Sequence, residues 1–295
     1  MVVSTTFQYN PAIQPRAFIA LGCLAQAEVD DDLIYQILVA LRGALSIFID
    51  DDCRLIVSIV RCLCYIVTNL PLESRYFKTM FWVAMSLIQI GHTPIFQSAL
   101  TLLQVVLKLL DDRECLAKED IRTFLLKARA PIADVAYQLD AEVGVHFRSH
   151  FSFAIAANLM KGLKNPTTKT ATTAVFMTLL EISGKNFSHG GSGKVASDTI
   201  GYLIPLLPVT EKLKELFWLV GVDYDPRNAD SHQYGILEKF SLNDDTTAVL
   251  ILAFMITILE NSEYDNREQV FVYKFLAEAV KKIPQSFAVV YVYFK

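Results

Sequence analysis

Residues 74–111, SRYFKTMFWVAMSLIQIGHTPIFQSALTLLQVVLKLLDD, spell out two antiparallel helices joined by a turn. Ser74 is expected to cap the first helix by accepting a backbone N–H, and Phe77, Phe81, Ala84 and Ile88 recur behind it at three- and four-residue spacing. Gly91 supplies the stop, because glycine takes the left-handed conformation that helix C-termini favour. Thr93 followed by Pro94 predicts a second N-cap with proline at the first helical position, where its missing N–H is no loss. Ala99, Leu102, Leu103, Val106, Leu107 and Leu110 then mark an apolar face, with Gln97, Gln104 and Lys108 toward water. Trp82, Val83, Met85 and Leu87 fall off the stripe of the first helix. That helix is therefore expected to be buried on both flanks, as an inner helix in a stack of hairpins is.

The same period extends outward in both directions. Residues 1–13 read as a flexible lead-in and 14–295 as a single α-solenoid, with loops expected at 111–119, 184–194 and 222–231. Before the hairpin come a short helix from Pro15, a longer one opened by Asp30, Asp31 and Asp32, and a third opened by Asp50, Asp51 and Asp52 and ended by Pro71. After it, a weaker helix covers 121–128, Pro131 restarts the pattern, and Gly144 closes it. Phe147, Phe151, Ile155, Leu159 and Met160 stand in helical register, with Gly162 and Pro166 as stops and 167–183 as the hairpin partner. Helices follow over 196–207, breaking at Pro205, and over 210–221, capped by Thr210. Asp244 or Asp245 and then Asp265 cap a closing pair, and Pro284 starts a last helix. Strand signals are almost absent, and helix pairs recur at about 40 residues, the period of HEAT and armadillo stacks. The expected fold is all-α.

Composition bounds the partners. Hydrophobic residues make up 53% of the 295 and the mean hydropathy is +0.36, so a membrane-spanning reading has to be weighed. The apolar runs at 248–259 and 55–67, the second interrupted by Arg61, fall short of the roughly 20 residues that a span needs. A net charge of −4 and a pI near 5.8 give no basic footprint for nucleic acid. Five cysteines, mostly inside predicted helices, read as reduced thiols, and the opening MVVSTTFQYN has neither the basic nor the apolar region of a secretory signal. The expected location is cytoplasmic.

Each chemical motif has a plainer reading beside it. Cys62 and Cys64 sit two apart, a spacing that points them away from each other on a helix, and no second ligand pair accompanies them. The aspartate triplets lack the alternating oxygen ligands and closing Glu of a calcium loop and read as helix starts. His146 and His150 stand four apart without the intervening Glu of a metalloprotease. In 184–194, GKNFSHGGSGK, Ser188 replaces the first glycine of a P-loop, Val195 replaces its hydroxyl, and Lys194 breaks the nucleophile-elbow pattern. His189 and Ser192 there have neither strand nor elbow to hold a nucleophile. We therefore expect no catalytic, cofactor or metal residue. Arg42 and Arg61, set in apolar helices, either pair with the triplets or extend to water.

FWVAMSLIQ and the hairpin after it, GVHFRSHFSFAIAANLMKGLKNP, and ENSEYDNREQVFVYKFLAEAVKKIPQSFAVV resemble the helical region of neurofibromin-type Ras GTPase-activating proteins, downstream of their catalytic and lipid-binding modules. PRAFIALGCLAQAEVDDDLIYQILVALRGAL is similar to the start of that region, so the likeness runs from about Pro15 to Val290. The resemblance implies a large cytosolic regulator whose helical repeats build a scaffold and a homodimer, and whose catalytic arginine switches Ras off. No stretch here matches the catalytic arginine motif. The chain is then expected to be a non-catalytic section of a larger protein, meeting Ras only through a domain it lacks. The alternative is a free-standing armadillo-like adaptor that binds a peptide or protein in a concave groove. Such grooves present rows of Asn and Trp, whereas Trp82, Trp218 and Asn158 do not recur at the repeat period.

Overall fold

The computed structural model describes residues 6–8, 10, 12–25, 29–49, 52–117, 119–142, 144, 146–185, 197–206, 251–252, 254–256, 259, 266–282 and 284. Among them every regular element is helical, and no strand occurs. The chain forms two compact units, residues 1–136 and 137–295.

In the first unit the helices are α1 (Gln14–Leu24), α2 (Asp31–Ser46), α3 (Arg54–Val67), α4 (Thr79–Gln89), α5 (Thr93–Asp112) and α6 (Ile121–Leu126). Helix α3 is the hub: α1, α2 and α5 all pack on it, and α4 packs on α5. Its sequence explains this, since Ile56, Ile59, Val60, Cys62, Leu63, Ile66 and Val67 are buried and form one broad apolar face opposite exposed Arg61 and Tyr65. The described part of the lead-in packs as well. Phe7 meets Phe18 of α1 edge-on at 5.9 Å, and the Gln14 side-chain amide donates to the Thr6 carbonyl at 3.1 Å.

The first aspartate triplet works as its position predicts. Asp30 is extended, with φ −113° and ψ 168°, and its carboxylate accepts from the Leu33 N–H at 2.8 Å, satisfying one of the unpaired donors at the start of α2. Asp30→Ala is expected to cost about 1 kcal/mol, read as a lowered urea midpoint, with Asp30→Asn retaining most of the stability. At the second triplet the cap residue is Cys53, which makes no side-chain cap. Asp52 instead accepts from the Arg54 N–H at 3.0 Å and holds the Arg54 guanidinium through bonds of 2.9 and 2.7 Å. Arg42 and Arg61 are both exposed, as extension to water requires.

The α4–α5 hairpin has the expected faces and different ends. Phe77, Phe81, Ala84 and Ile88 are buried, as are Met85 and Leu87 from off the stripe, but Trp82 and Val83 are half-buried and Ser86 and Gln89 exposed, so α4 has one broad covered face and an open side rather than the two buried flanks expected. Gly91 has φ 80° at the turn. Ser74 is not the cap. It lies in a turn ahead of α4, accepting from the Tyr76 N–H at 3.2 Å and donating to Asp31, because residues 75–78 turn before the helix begins. The residue before α5 is His92 with ψ 120°, so Thr93 is already helical and Pro94 sits one place further in than expected. Helix α5 ends where Glu114 takes φ 53° and the Cys115 N–H returns to the Leu110 carbonyl at 3.0 Å, a left-handed cap without glycine. Pro131 does not interrupt the chain. It lies within a 3-10 turn, Lys127–Ile132, that joins α6 to α7 (Ala133–Glu142).

The second unit contains α8 (Phe151–Lys164), α9 (Pro166–Lys185), α10 (Ser197–Leu203), a 3-10 turn over Ile204–Leu206, and α11 (Asn266–Lys282). Helices α8, α9 and α10 pack on one another in all three pairs. Phe151, Ile155, Leu159 and Met160 are buried along α8, while Phe147 is buried in the turn before it. Gly162 is not a stop: it is buried inside α8, and its carbonyl accepts the Thr168 hydroxyl at 2.9 Å. The break falls on Asn165 alone, whose side chain accepts from the Thr167 N–H at 3.0 Å before α9 starts at Pro166. Pro205 sits in the 3-10 turn that ends α10, as a proline near a helix end should. The expected loop at 222–231, nearly all of 184–194, the helix over 210–221, the caps at Asp244, Asp245 and Asp265, and all of the last helix beyond Pro284 lie outside the described residues.

Among the described residues the helix both long and apolar enough to cross a membrane is α5, which neither apolar run named above includes. Its best 18-residue window has mean hydropathy 1.4 and is 56% buried, as a core helix is.

Candidate interaction surface

Along α2 the buried side is Ile34, Ile37, Leu41 and Ala44. The opposite side carries Asp32, Tyr35, Val39, Gly43 and Ile47, spaced three and four apart, so one stripe of the helix is turned out. Tyr35 is 56% exposed, Val39 45% and Ile47 61%. With Phe7 and Leu55 they line an open groove of about 640 Å³ whose described lining residues include no charged side chain. Gly43 forms a gap in it: a Cβ placed there would meet nothing within 4 Å. Exposed apolar side chains gathered along one groove make it the candidate interaction surface of the first unit.

A second apolar stripe lies on α11. Val270, Tyr273, Ala277 and Val280 face outward while Val272, Phe275 and Ala279 are buried. Exposed Lys281 borders this stripe and pairs only loosely with Glu278, at 3.4 Å. Among the described residues lining the α2 groove, no Asp, Glu, His, Lys or Arg stands by to activate the Ser46 hydroxyl. Both surfaces are suited to burying apolar area.

The residues weighed for chemistry are placed as follows. His146 and His150 precede α8, joined by the His150 N–H to the His146 carbonyl at 2.9 Å, and His150, with φ −130° and ψ 57°, is not itself helical. Trp82 is engaged inside the first unit: its indole N–H donates to the Leu125 carbonyl at 3.0 Å and the Arg129 guanidinium stacks 4.4 Å above its ring. Asn158 donates to the Ala154 carbonyl one turn back, at 2.8 Å. Among the described residues no group of His, Cys, Asp or Glu is arranged to hold a metal ion.

Burial pushes the Cys62 thiol up to about 12, and the same cause lifts Cys64 to about 12. A thiol so raised is protonated and inert at neutral pH. It also makes stability depend on alkali. Between the ordinary thiol value of 9.0 and about 12 the unfolded chain has lost the Cys62 proton and the folded chain has kept it, so stability is constant below that window and falls through it. Cys62→Ala is expected to flatten the decline of the urea midpoint from pH 9 to 11, the wild type losing up to about 1.4 kcal/mol more per pH unit.

No protein-family model matches the chain.

Proposed function

We propose that the chain is a non-catalytic helical scaffold and self-association segment of a neurofibromin-like negative regulator of Ras, in which another part of the full protein stimulates GTP hydrolysis. The observation that carries the scaffold reading is a recurring separation in the first unit. Side-chain hydrogen bonds link Ser74 to Asp31, Arg113 to the Leu70 carbonyl, and Trp82 to the Leu125 carbonyl, each pair 43 residues apart. The packing of α1 on α3 and of α3 on α5 has the same rhythm, every second helix meeting the next. Stacked HEAT-like hairpins produce such a spacing, since each unit touches its neighbour at equivalent positions. The link to Ras rests on the sequence likeness of the hairpin and closing segments. This reading makes the segment cytoplasmic and gives it protein partners, itself included.

An antibody raised against the segment tests the reading on the native polypeptide. A band far above 33.1 kDa, together with no stimulation of Ras GTP hydrolysis by the isolated chain, is the expected result. Stimulation by the isolated chain would overturn it. A band near 33.1 kDa would favour the armadillo-like adaptor, for which the uncharged α2 groove is the binding site.

A further inference from the structure

We infer that the α2 groove receives helix α11 of a second copy of this chain, running antiparallel, with Lys281 of one copy beside Asp32 of the other. This deepens the self-association reading above and rests on it. The first argument is register. The groove stripe runs through positions 35, 39, 43 and 47 and the α11 stripe through 270, 273, 277 and 280. At 1.5 Å per residue these stripes span about 18 and 15 Å. Laid antiparallel, Val280 meets Tyr35, Ala277 meets Val39, Tyr273 lies over Gly43, and Val270 meets Ile47. The bulkiest exposed side chain of α11 thereby enters the one gap that has no Cβ, where an added atom meets nothing.

The second argument is charge. The described residues of the groove lining are uncharged, and the stripe that forms it begins at exposed Asp32 in the acidic first turn of α2. The α11 stripe ends at exposed Lys281. Only the antiparallel orientation brings these two ends together, and it also opposes the two helix dipoles. The parallel orientation would set Lys281 beside Ile47.

Sedimentation velocity of the full chain over a concentration series tests the contact. Gly43→Leu places a side chain in the groove, its Cβ meets no atom of its own copy within 4 Å, and it removes a helix-interior glycine, so its melting temperature should hold or rise while association weakens at least about tenfold. Asp32→Lys should weaken association about fivefold, and adding Lys281→Asp to the same chain should restore it. A wild type that associates while all three variants associate equally well would overturn the α2–α11 contact and leave self-association standing. A wild type that stays monomeric throughout would overturn both.

Discussion

Gly201→Ala is expected to destabilise the second unit by about 1–3 kcal/mol, lowering its melting midpoint by about 2–10 °C. In a free helix the same substitution would stabilise, because alanine loses less backbone entropy than glycine. Here α10 lies so close to α8 that a Cβ on Gly201 would stand 2.6 Å from the Ser152 Oγ, 2.8 Å from its Cβ and 2.9 Å from its backbone carbon. A rotamer change can move the hydroxyl but not the backbone, so the helices must separate and part of their contact is lost. Ser152→Gly in the Gly201→Ala background should recover only part of the loss, because the contact with the backbone carbon remains. Circular dichroism melts of the three chains decide it, and a Gly201→Ala protein as stable as wild type would mean that α8 and α10 do not cross this closely.

Gly201 also shows where sequence reading stops. Gly22, Gly43, Gly162 and Gly201 all sit inside helices, and nothing in their flanking residues separates them. A Cβ on Gly22 would come within 3.0 Å of the Cys62 Cα, so that glycine permits α1 to cross α3, whereas Gly43 opens onto empty space. What a glycine is for depends on the helix across from it, and that helix lies tens of residues away in the chain. Gly162 misled for the same reason: a glycine followed by Asn165 and Pro166 resembles a stop, yet the helix needs only Asn165 to break.

Local signals carried much further. The period of Ala99 to Leu110, the turn at Gly91 and the cap at Asp30 each act within a turn or two of the residue that encodes them, so class, helix order and most buried faces could be read directly. Helix ends were less legible where a tertiary bond replaced a local one. Ser74 spends its hydroxyl on Asp31, 43 residues back, and Arg113 ends α3 from afar, its guanidinium donating to the Thr68 and Leu70 carbonyls at 2.6 Å each. Glu114 held no glycine-like signal at all. The candidate surface was not legible for a related reason. Tyr35, Val39 and Ile47 are as apolar as the residues that α3 covers, and only the packing of α2 leaves them outside.

Phe81→Ala is expected to have the largest effect, about 3–5 kcal/mol, read as the fall in urea midpoint multiplied by the denaturant slope. Phe81 is 0% exposed and stands edge-on to the Trp82 ring, 5.2 Å away, within a helix whose Met80, Ala84, Met85, Leu87 and Ile88 are also buried. Phe81 is fully buried among buried neighbours, so truncation leaves an internal space and a cavity term adds to the lost transfer energy. Phe81→Leu keeps most of the volume and should cost only about 1–1.5 kcal/mol. The ratio between the two variants is the informative quantity. A cavity that persists gives a large ratio, because leucine fills what alanine leaves empty. Similar small losses for both variants would mean that the neighbours collapse into the space, and that the contacts around Phe81 are not the rigid core its full burial implies.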